Sequence, residues 1–417
     1  MTRLVYALLW WLATPFVFLR LAWRGRKQPG YRERWGERLG RYESAAQAPR
    51  IWIHAVSLGE TRAAAPLVAA LEARFPSHRI LLTHMTPTGR AAGRELFGDR
   101  VERAWLPYDH GFATRRFLEH FAPSIGIVME TEIWPRLLEE CAAARIPAVI
   151  ANARLSERSA RRYARWPAFT RWALGNLAGI AAQTRDDAAR FESLGAPAPY
   201  VMGNVKFDIA VPPEMIERGA ALRERFGLDR RIWVAGSTRD GEEALLLDAF
   251  ATADVDPSVL LVIVPRHPQR FDEVAAAIES RGLSFARRSV DGPVPLQARV
   301  VLGDSMGEML AYYAAADVVI MGGSLLPFGS QNLIEACAVG KPVILGPSTF
   351  NFEEAAASAV AAGAATRVAG VRAAIEAAAT LTREDAKRGA MGEAARAFVA
   401  AHRGAVERLV DWLPPLA

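Results

Sequence analysis

The chain has 417 residues, 51% of them hydrophobic and 23% charged, with a formal net charge of +6 and two cysteines. At ~150 residues per domain this length predicts two or three domains. The composition excludes a disordered chain, a collagen-like chain and a polytopic membrane protein, and Cys141 and Cys337 build neither a disulfide framework nor a multi-cysteine metal site.

Both cysteines sit in Ala-rich stretches and read as reduced core residues of a cytosolic globular part. The charge excess is local. From Arg20 to Arg41 eight basic residues (Arg20, Arg24, Arg26, Lys27, Arg32, Arg34, Arg38 and Arg41) face only Glu33 and Glu37. The remainder is near neutral, which argues against a nucleic-acid-binding protein, where a basic face belongs to the folded domain itself.

Leu4 to Leu19 carries no charge, and the apolar run reaches Trp23 across Arg20. As a helix those twenty residues span about 30 Å, the thickness of a bilayer core. Pro15 within the run favours a tilted or shallow helix. No small-residue cleavage site follows. The basic cluster lies on the C-terminal side, so the rest of the chain is expected in the cytoplasm. The alternatives are a spanning helix, an interfacial helix meeting anionic lipids, or an amphipathic helix packed on the domain.

Beyond residue 50, short apolar runs alternate with helical lengths. Parallel strands are expected at 51–56, 80–83, 125–129, 148–151 and 179–183, and a second series at 232–235, 259–264, 300–302, 318–321 and 342–345. Between the series, Gly203–Asp208 and Val211-Pro212-Pro213 form a candidate hinge. The expected architecture is α/β: two Rossmann-like domains facing a cleft, preceded by a membrane helix.

Polar segments follow the strands, where open α/β sheets bind ligands. In the first series these are His54–Thr61 with Glu60 at a helix start, Met129–Pro135 with Glu130 and Glu132, and Asn152–Ser159 with its arginines. In the second, Ala235–Arg239, Pro265–Pro268, Asp304–Glu308, Gly322–Asn332 and Gly346–Phe352 follow five successive strands. Together they suggest a nucleotide site, with Ser237, Arg239 and Ser324 among its small and basic residues. Taken singly, each has a structural alternative: a capped helix start or a solvated loop. Neither G-x-G-x-x-G nor G-x-x-x-x-G-K-[ST] occurs. Asp254-Val255-Asp256 falls at the wrong end of its sheet for a metal–diphosphate role and reads as a turn.

Taken together these segments resemble the Kdo (3-deoxy-D-manno-octulosonic acid) transferases of lipopolysaccharide assembly. The matching stretches include Trp23–Lys27, Ser57–Thr61, Met129–Pro135, Asn152–Ser156, Lys206–Asp208, Pro265–Pro268, Met306–Glu308, Gly322–Leu325 and Asn351-Phe352. Ser330 departs from the pattern, standing where the family usually shows a second glycine.

The resemblance implies a GT-B-type, inverting, metal-independent glycosyltransferase without a cofactor, moving Kdo from CMP-Kdo to a lipid A precursor (lipid IVA) at the cytoplasmic face of the inner membrane. It implies Glu60 as catalytic base, with Glu130 and Lys206 supporting the transition state. Arg266, His267, Met306, Gly307, Glu308, Asn332, Leu333, Ile334 and Glu335 match its CMP-binding segments. The expected domains are a membrane helix and basic segment at 1–45, an acceptor domain at 46–205 and a donor-binding domain at 206–417, whose last helix is free to pack back on the first. Two other readings fit the fold alone: a sugar-nucleotide epimerase, and a non-catalytic, membrane-attached nucleotide-sugar-binding protein.

Overall fold

The computed structural model describes residues 3–43, 48–197 and 199–416. The chain forms two compact units: residues up to Asp208 together with those from Arg403 onward, and Ile209–His402. The expected boundary at 45/46 lies in residues 44–47, outside the described ones. The expected division at 205/206 moves to 208/209, and the tail from Arg403 leaves the second domain for the first.

The first unit is a seven-stranded parallel sheet in the order β3-β2-β1-β4-β5-β6-β7. Its strands are β1 (Arg50–His54), β2 (Arg79–His84), β3 (Val101–Trp105), β4 (Pro123–Met129), β5 (Ala148–Ala153), β6 (Gly179–Ala182) and β7 (Tyr200–Val201). The central strands are near-continuous apolar runs because helices cover both faces. Ile51, Ile53 and Ile127 pack on one side, and Trp52, Val128 and Ile150 on the other. Gly126 in β4 makes room for the Trp52 ring, which a Cβ would meet at 2.6 Å.

The helix Arg3–Arg24 runs unbroken through Pro15. One face is fixed to this unit. The Tyr6 hydroxyl donates to Asp109 Oδ2 at 2.7 Å, Thr14 Oγ1 and His110 Nε2 are 2.7 Å apart, and Trp10 stacks on Tyr108. Leu4, Leu8, Trp11, Leu12, Phe16, Leu19 and Trp23, spaced three and four apart, are all exposed. Of the basic cluster, Arg38 is buried, with its guanidinium 4.3 Å from the Trp105 ring centroid. It therefore supports the fold and cannot meet lipid. The other seven basic residues are exposed.

The tail helix Ala405–Trp412 completes the first core with Val406 and Leu409. Asp208 ties its start down, accepting the N–H of Gly404 and of Val406 at 2.6 Å each. Trp412 stacks on Tyr200 at 5.7 Å and lies over Gly179.

The second unit repeats the architecture with the order β10-β11-β9-β8-β12-β13-β14. Its strands are β8 (Arg231–Thr238), β9 (Val259–Pro265), β10 (Phe285–Arg287), β11 (Val300–Leu302), β12 (Val318–Met321), β13 (Val343–Leu345) and β14 (Ala365–Arg367). All pairings are parallel. Trp233, Leu261, Ile263 and Ile320 centre one core layer. Four strands escaped the sequence pattern. β3, β7, β10 and β14 are sheet edges that are short, polar or both.

Candidate active site

In the first sheet the strand order reverses between β1 and β4; in the second, between β8 and β12. Crevices beyond the carboxyl ends of strands at such switch points are where open α/β sheets bind ligands. Glu60 follows β1 and Glu130 follows β4. Ser237 and Arg239 close β8, and Gly322–Ser324 follows β12. These five positions thus lie beside the two switch points, whereas Met306–Glu308 follow β11, two strands away from β8.

Glu60 lies in the first turn of the short helix Leu58–Ala63. Ser57-x-x-Glu60 has the spacing of a capping box, but the bonds run differently. The Ser57 hydroxyl donates to Glu60 Oε1 at 3.0 Å, and the Val56 N–H donates to Oε2 at 2.8 Å. Burial raises its pKa to about 7, opposed by these two donors and reinforced by the charges of Glu130 and Glu132. A carboxylate titrating there both accepts and returns a proton near neutral pH. His54, at the start of the same segment, is fully buried with Nδ1 2.9 Å from Thr83 Oγ1, a core residue.

Glu130 has a φ of 59°, left-handed backbone that a non-glycine residue adopts at a cost and that clusters at functional sites. Its carboxylate lies 4.0 Å from Lys206 Nζ. Burial also raises the Glu132 pKa. Lys206 stands on a short 3-10 turn, Val205–Phe207, held by the amides of Asn152 and Asn204, both in segments singled out above, and of Gln183, which was not. Buried Asn152 accepts the Val205 N–H at 3.1 Å. Gln183 donates to the Asn152 carbonyl at 3.0 Å and accepts from Asn204 Nδ2 at 3.0 Å. Asn204 Oδ1 in turn accepts the Lys206 N–H at 3.0 Å. Asn152, too, is left-handed, with φ 55°. The legible signal was the Gly203–Asp208 join; its partners came from β5 and from beyond β6, too distant in sequence to connect.

In the second unit the organising residue is Glu242, also missed. Fully buried at the start of the helix Glu242–Thr252, it accepts backbone N–H groups from Arg239 (2.8 Å), Gly323 (2.7 Å), Leu325 (3.0 Å) and Leu326 (3.3 Å). It pins the glycine-bearing loop after β12 to the end of β8. Gly322 fits there because a Cβ would stand 2.4 Å from the Ser237 carbonyl oxygen, and Ser237 itself has φ 56°. Neighbouring Glu243 is buried and pairs with Arg270 at 2.8 Å.

Arg239 is placed by a contact to His267 Nε2 at 3.3 Å and by the Phe328 ring 4.9 Å away. His267 is exposed, its pKa lowered first by desolvation, then by Arg239, Arg266 and Arg270. The Arg266 N–H donates to the Thr238 carbonyl at 2.9 Å, joining this turn to β8.

Met306 is exposed beside Gly307, whose φ is 77°. Glu308 stands just before the next helix and pairs with Arg288 at 3.1 Å. Asn332 accepts the Ile334 N–H at 3.2 Å and donates to Glu335 Oε1 at 3.0 Å, leaving both half-buried. Leu333 and Ile334 have fully buried side chains, so only their backbone is available to a ligand.

Ser324 is fully buried as well. Its hydroxyl donates to the Met321 carbonyl and accepts the Gly346 N–H at 2.8 Å, so it braces strand ends. Ser330, where a glycine was expected, has φ 71° and is buried, which gives the physical reason for glycine there.

Residues 33–209 match the family model described as 3-deoxy-D-manno-octulosonic-acid transferase, and residues 294–398 match that of group 1 glycosyl transferases. The chain is 46% identical over 432 positions to a 3-deoxy-D-manno-octulosonic acid transferase of Bordetella pertussis, covering 99% of this chain and 100% of the relative. It is 38% identical over 421 positions to one of Haemophilus influenzae, covering 100% and 99%. Among solved structures, the UDP-GlcNAc 2-epimerase of Neisseria meningitidis bound to UDP-GlcNAc gives a TM-score of 0.59. That match covers 87% of this chain and 98% of that one at 17% identity, a likeness of fold alone.

Proposed function

The chain belongs to the 3-deoxy-D-manno-octulosonic acid transferase family, a glycosyltransferase acting in lipopolysaccharide biosynthesis, and from that premise we propose that it moves Kdo from CMP-Kdo to a lipid A precursor. The observation that carries the reading is Glu60: a half-buried carboxylate titrating near 7, at the switch point of the first sheet, in a chain of this family. An inverting transfer is a single displacement. The acceptor hydroxyl attacks the anomeric carbon of Kdo, Glu60 takes its proton, and the bond to the CMP phosphate oxygen breaks.

CMP leaves with added negative charge. In this reading Arg266, Arg239 and the backbone turns after β8 and β12 meet that charge, and Glu335 and Asn332 bind the ribose. Lys206, held by its amide network, supports the developing charge with Glu130. Ser324 contributes through the loop it braces. No metal takes part in this scheme.

The N-terminal helix attaches the protein to the membrane. A spanning helix would have to release Tyr6, Trp10 and Thr14 from the first unit. With that face retained, the exposed row from Leu4 to Trp23 enters one leaflet as an interfacial helix. The seven exposed basic residues from Arg20 to Arg41 meet anionic headgroups on the cytoplasmic side.

The test is incubation of the purified protein with CMP-Kdo and a lipid A precursor in detergent, with and without EDTA, read by mass spectrometry. The expected products are a heavier lipid and CMP, in equal yield with the chelator. A lipid of unchanged mass removes the transferase reading. Activity lost to EDTA and restored by Mg²⁺ removes the metal-free mechanism.

A further inference from the structure

A cavity of about 150 Å³ opens in the first unit, away from Glu60. Its walls come from the N-terminal helix (Tyr6), the segment just after Glu132 (Ile133, Pro135), the helix Pro167–Leu174 (Phe169, Leu174) and Phe191. Two of its side-chain hydroxyls are already engaged. The Tyr6 hydroxyl is bound to Asp109, and the Thr170 hydroxyl donates to the Tyr163 carbonyl at 2.8 Å. The rest of the lining is mostly aliphatic and aromatic, with space for a few methylenes.

Beside it runs the helix Glu157–Ala164, which has no buried residue. Arg154, Arg158, Arg161, Arg162 and Arg165 on and around it are exposed, and Glu157 is the sole acid from 154 to 165, paired with Arg161. Exposed Trp166 ends the stretch.

We propose that this cavity takes the end of one acyl chain of the phosphorylated lipid acceptor, and that Arg158, Arg162 and Arg165 meet its phosphate. The inference rests on the acceptor class proposed above. Two observations select this occupant. The walls join the helix with the exposed apolar row to the segment that carries Glu130 and Glu132, the two places an acceptor held in a bilayer must connect. The exposed helix that contributes Tyr163 to the lining is cationic, which suits a lipid bearing phosphate and not a purely apolar partner.

The experiment uses the full-length enzyme in detergent micelles and two variants. Ala173→Phe fills the cavity, since Ala173 lines it. The triple variant Arg158→Gln/Arg162→Gln/Arg165→Gln removes most of the positive charge of the neighbouring helix. Each is expected to raise the KM for the lipid acceptor ~10-fold, the worth of a few methylenes or one charge-assisted contact, with kcat and the KM for CMP-Kdo unchanged.

Dihexanoyl phosphatidic acid should inhibit the wild type competitively against the acceptor and each variant ~10-fold more weakly, while inorganic phosphate should not inhibit. An unchanged acceptor KM in both variants overturns the proposal, as does inhibition that is absent or not competitive. If Ala173→Phe fails to fold by circular dichroism, the triple variant and the wild-type inhibition pattern decide. Failure of the wild type to move Kdo at all overturns the acceptor reading instead, which keeps the two failures apart.

Discussion

Each unit places a glutamate at the start of the helix that follows the strand at its switch point, and the two are bonded in opposite ways. Glu60 accepts two hydrogen bonds and stays half-buried, with a pKa raised to about 7. Glu242 accepts four backbone N–H groups and is fully buried. A carboxylate saturated with donors is scaffold: it fixes a loop and has no spare capacity for a proton in transit. An under-bonded carboxylate poised near neutral pH retains that capacity. Position in the fold is the same for both, and burial raises both pKa values, so it is the count of donors that sets the two carboxylates apart.

Exchanging each glutamate tests this contrast. The largest effect is expected at Glu60→Gln: turnover lower by ~10²–10⁴, with CMP binding unchanged, measured by steady-state kinetics and calorimetry. Its melting temperature at pH 8 should not fall. Burial raises the Glu60 pKa, so the folded state binds a proton that the unfolded chain has released between about 4.5 and 7. Ionised Glu60 therefore costs stability that is fully felt above 7 and absent below 4.5, and the amide removes that cost. Near-normal turnover in the variant would take Glu60 out of the mechanism.

Glu242→Ala should fail the other way. Several backbone N–H groups lose their acceptor in a buried place, so stability should drop by about 3 kcal/mol, seen in denaturant unfolding, and CMP binding should weaken with it. A variant of unchanged stability that loses turnover alone would reverse the assignment of scaffold and chemistry. Next in size is the pH profile. With a base of pKa about 7, kcat/KM should fall tenfold per pH unit below that value and level off above it. A flat profile from 5 to 8 would show that Glu60 carries no proton. The smallest effect is expected at Ser330→Gly. Relief of the left-handed backbone, less the entropy glycine adds to the unfolded chain, leaves a gain of about 0.5 kcal/mol by thermal melting.

The sequence revealed the parts of the molecule whose signal is local. Ten central strands are apolar runs, and Glu60, Glu130 and Arg266 stand in motifs right after them. Edge strands such as Val101-Glu102-Arg103 alternate or carry charge, and two- and three-residue strands have too few residues to form a pattern. Glu242 and Glu243 look alike as letters; one pins a loop and the other pairs with an arginine, a distinction set by which backbone passes above each. Arg38 looked like the exposed basic residues around it, and only the fold reveals Trp105 beside it. Asn204 is two residues from Lys206, but the bonds that anchor this turn to Gln183 and Asn152 span 21 and 53 positions of the chain, beyond any local reading.

The tail helix Ala405–Trp412 carries a consequence for synthesis. The second unit is one uninterrupted stretch, whereas the first closes its core only with residues that follow the whole second unit in the chain. Although its sheet is translated first, the first unit must wait, with the surfaces around Leu67, Met202 and Val205 uncovered, until the later domain has emerged and had time to fold. A nascent chain stalled at any point between the two is thus marked by exposed apolar surface that chaperones and proteases can sense, until the helix Ala405–Trp412 has emerged and covered it.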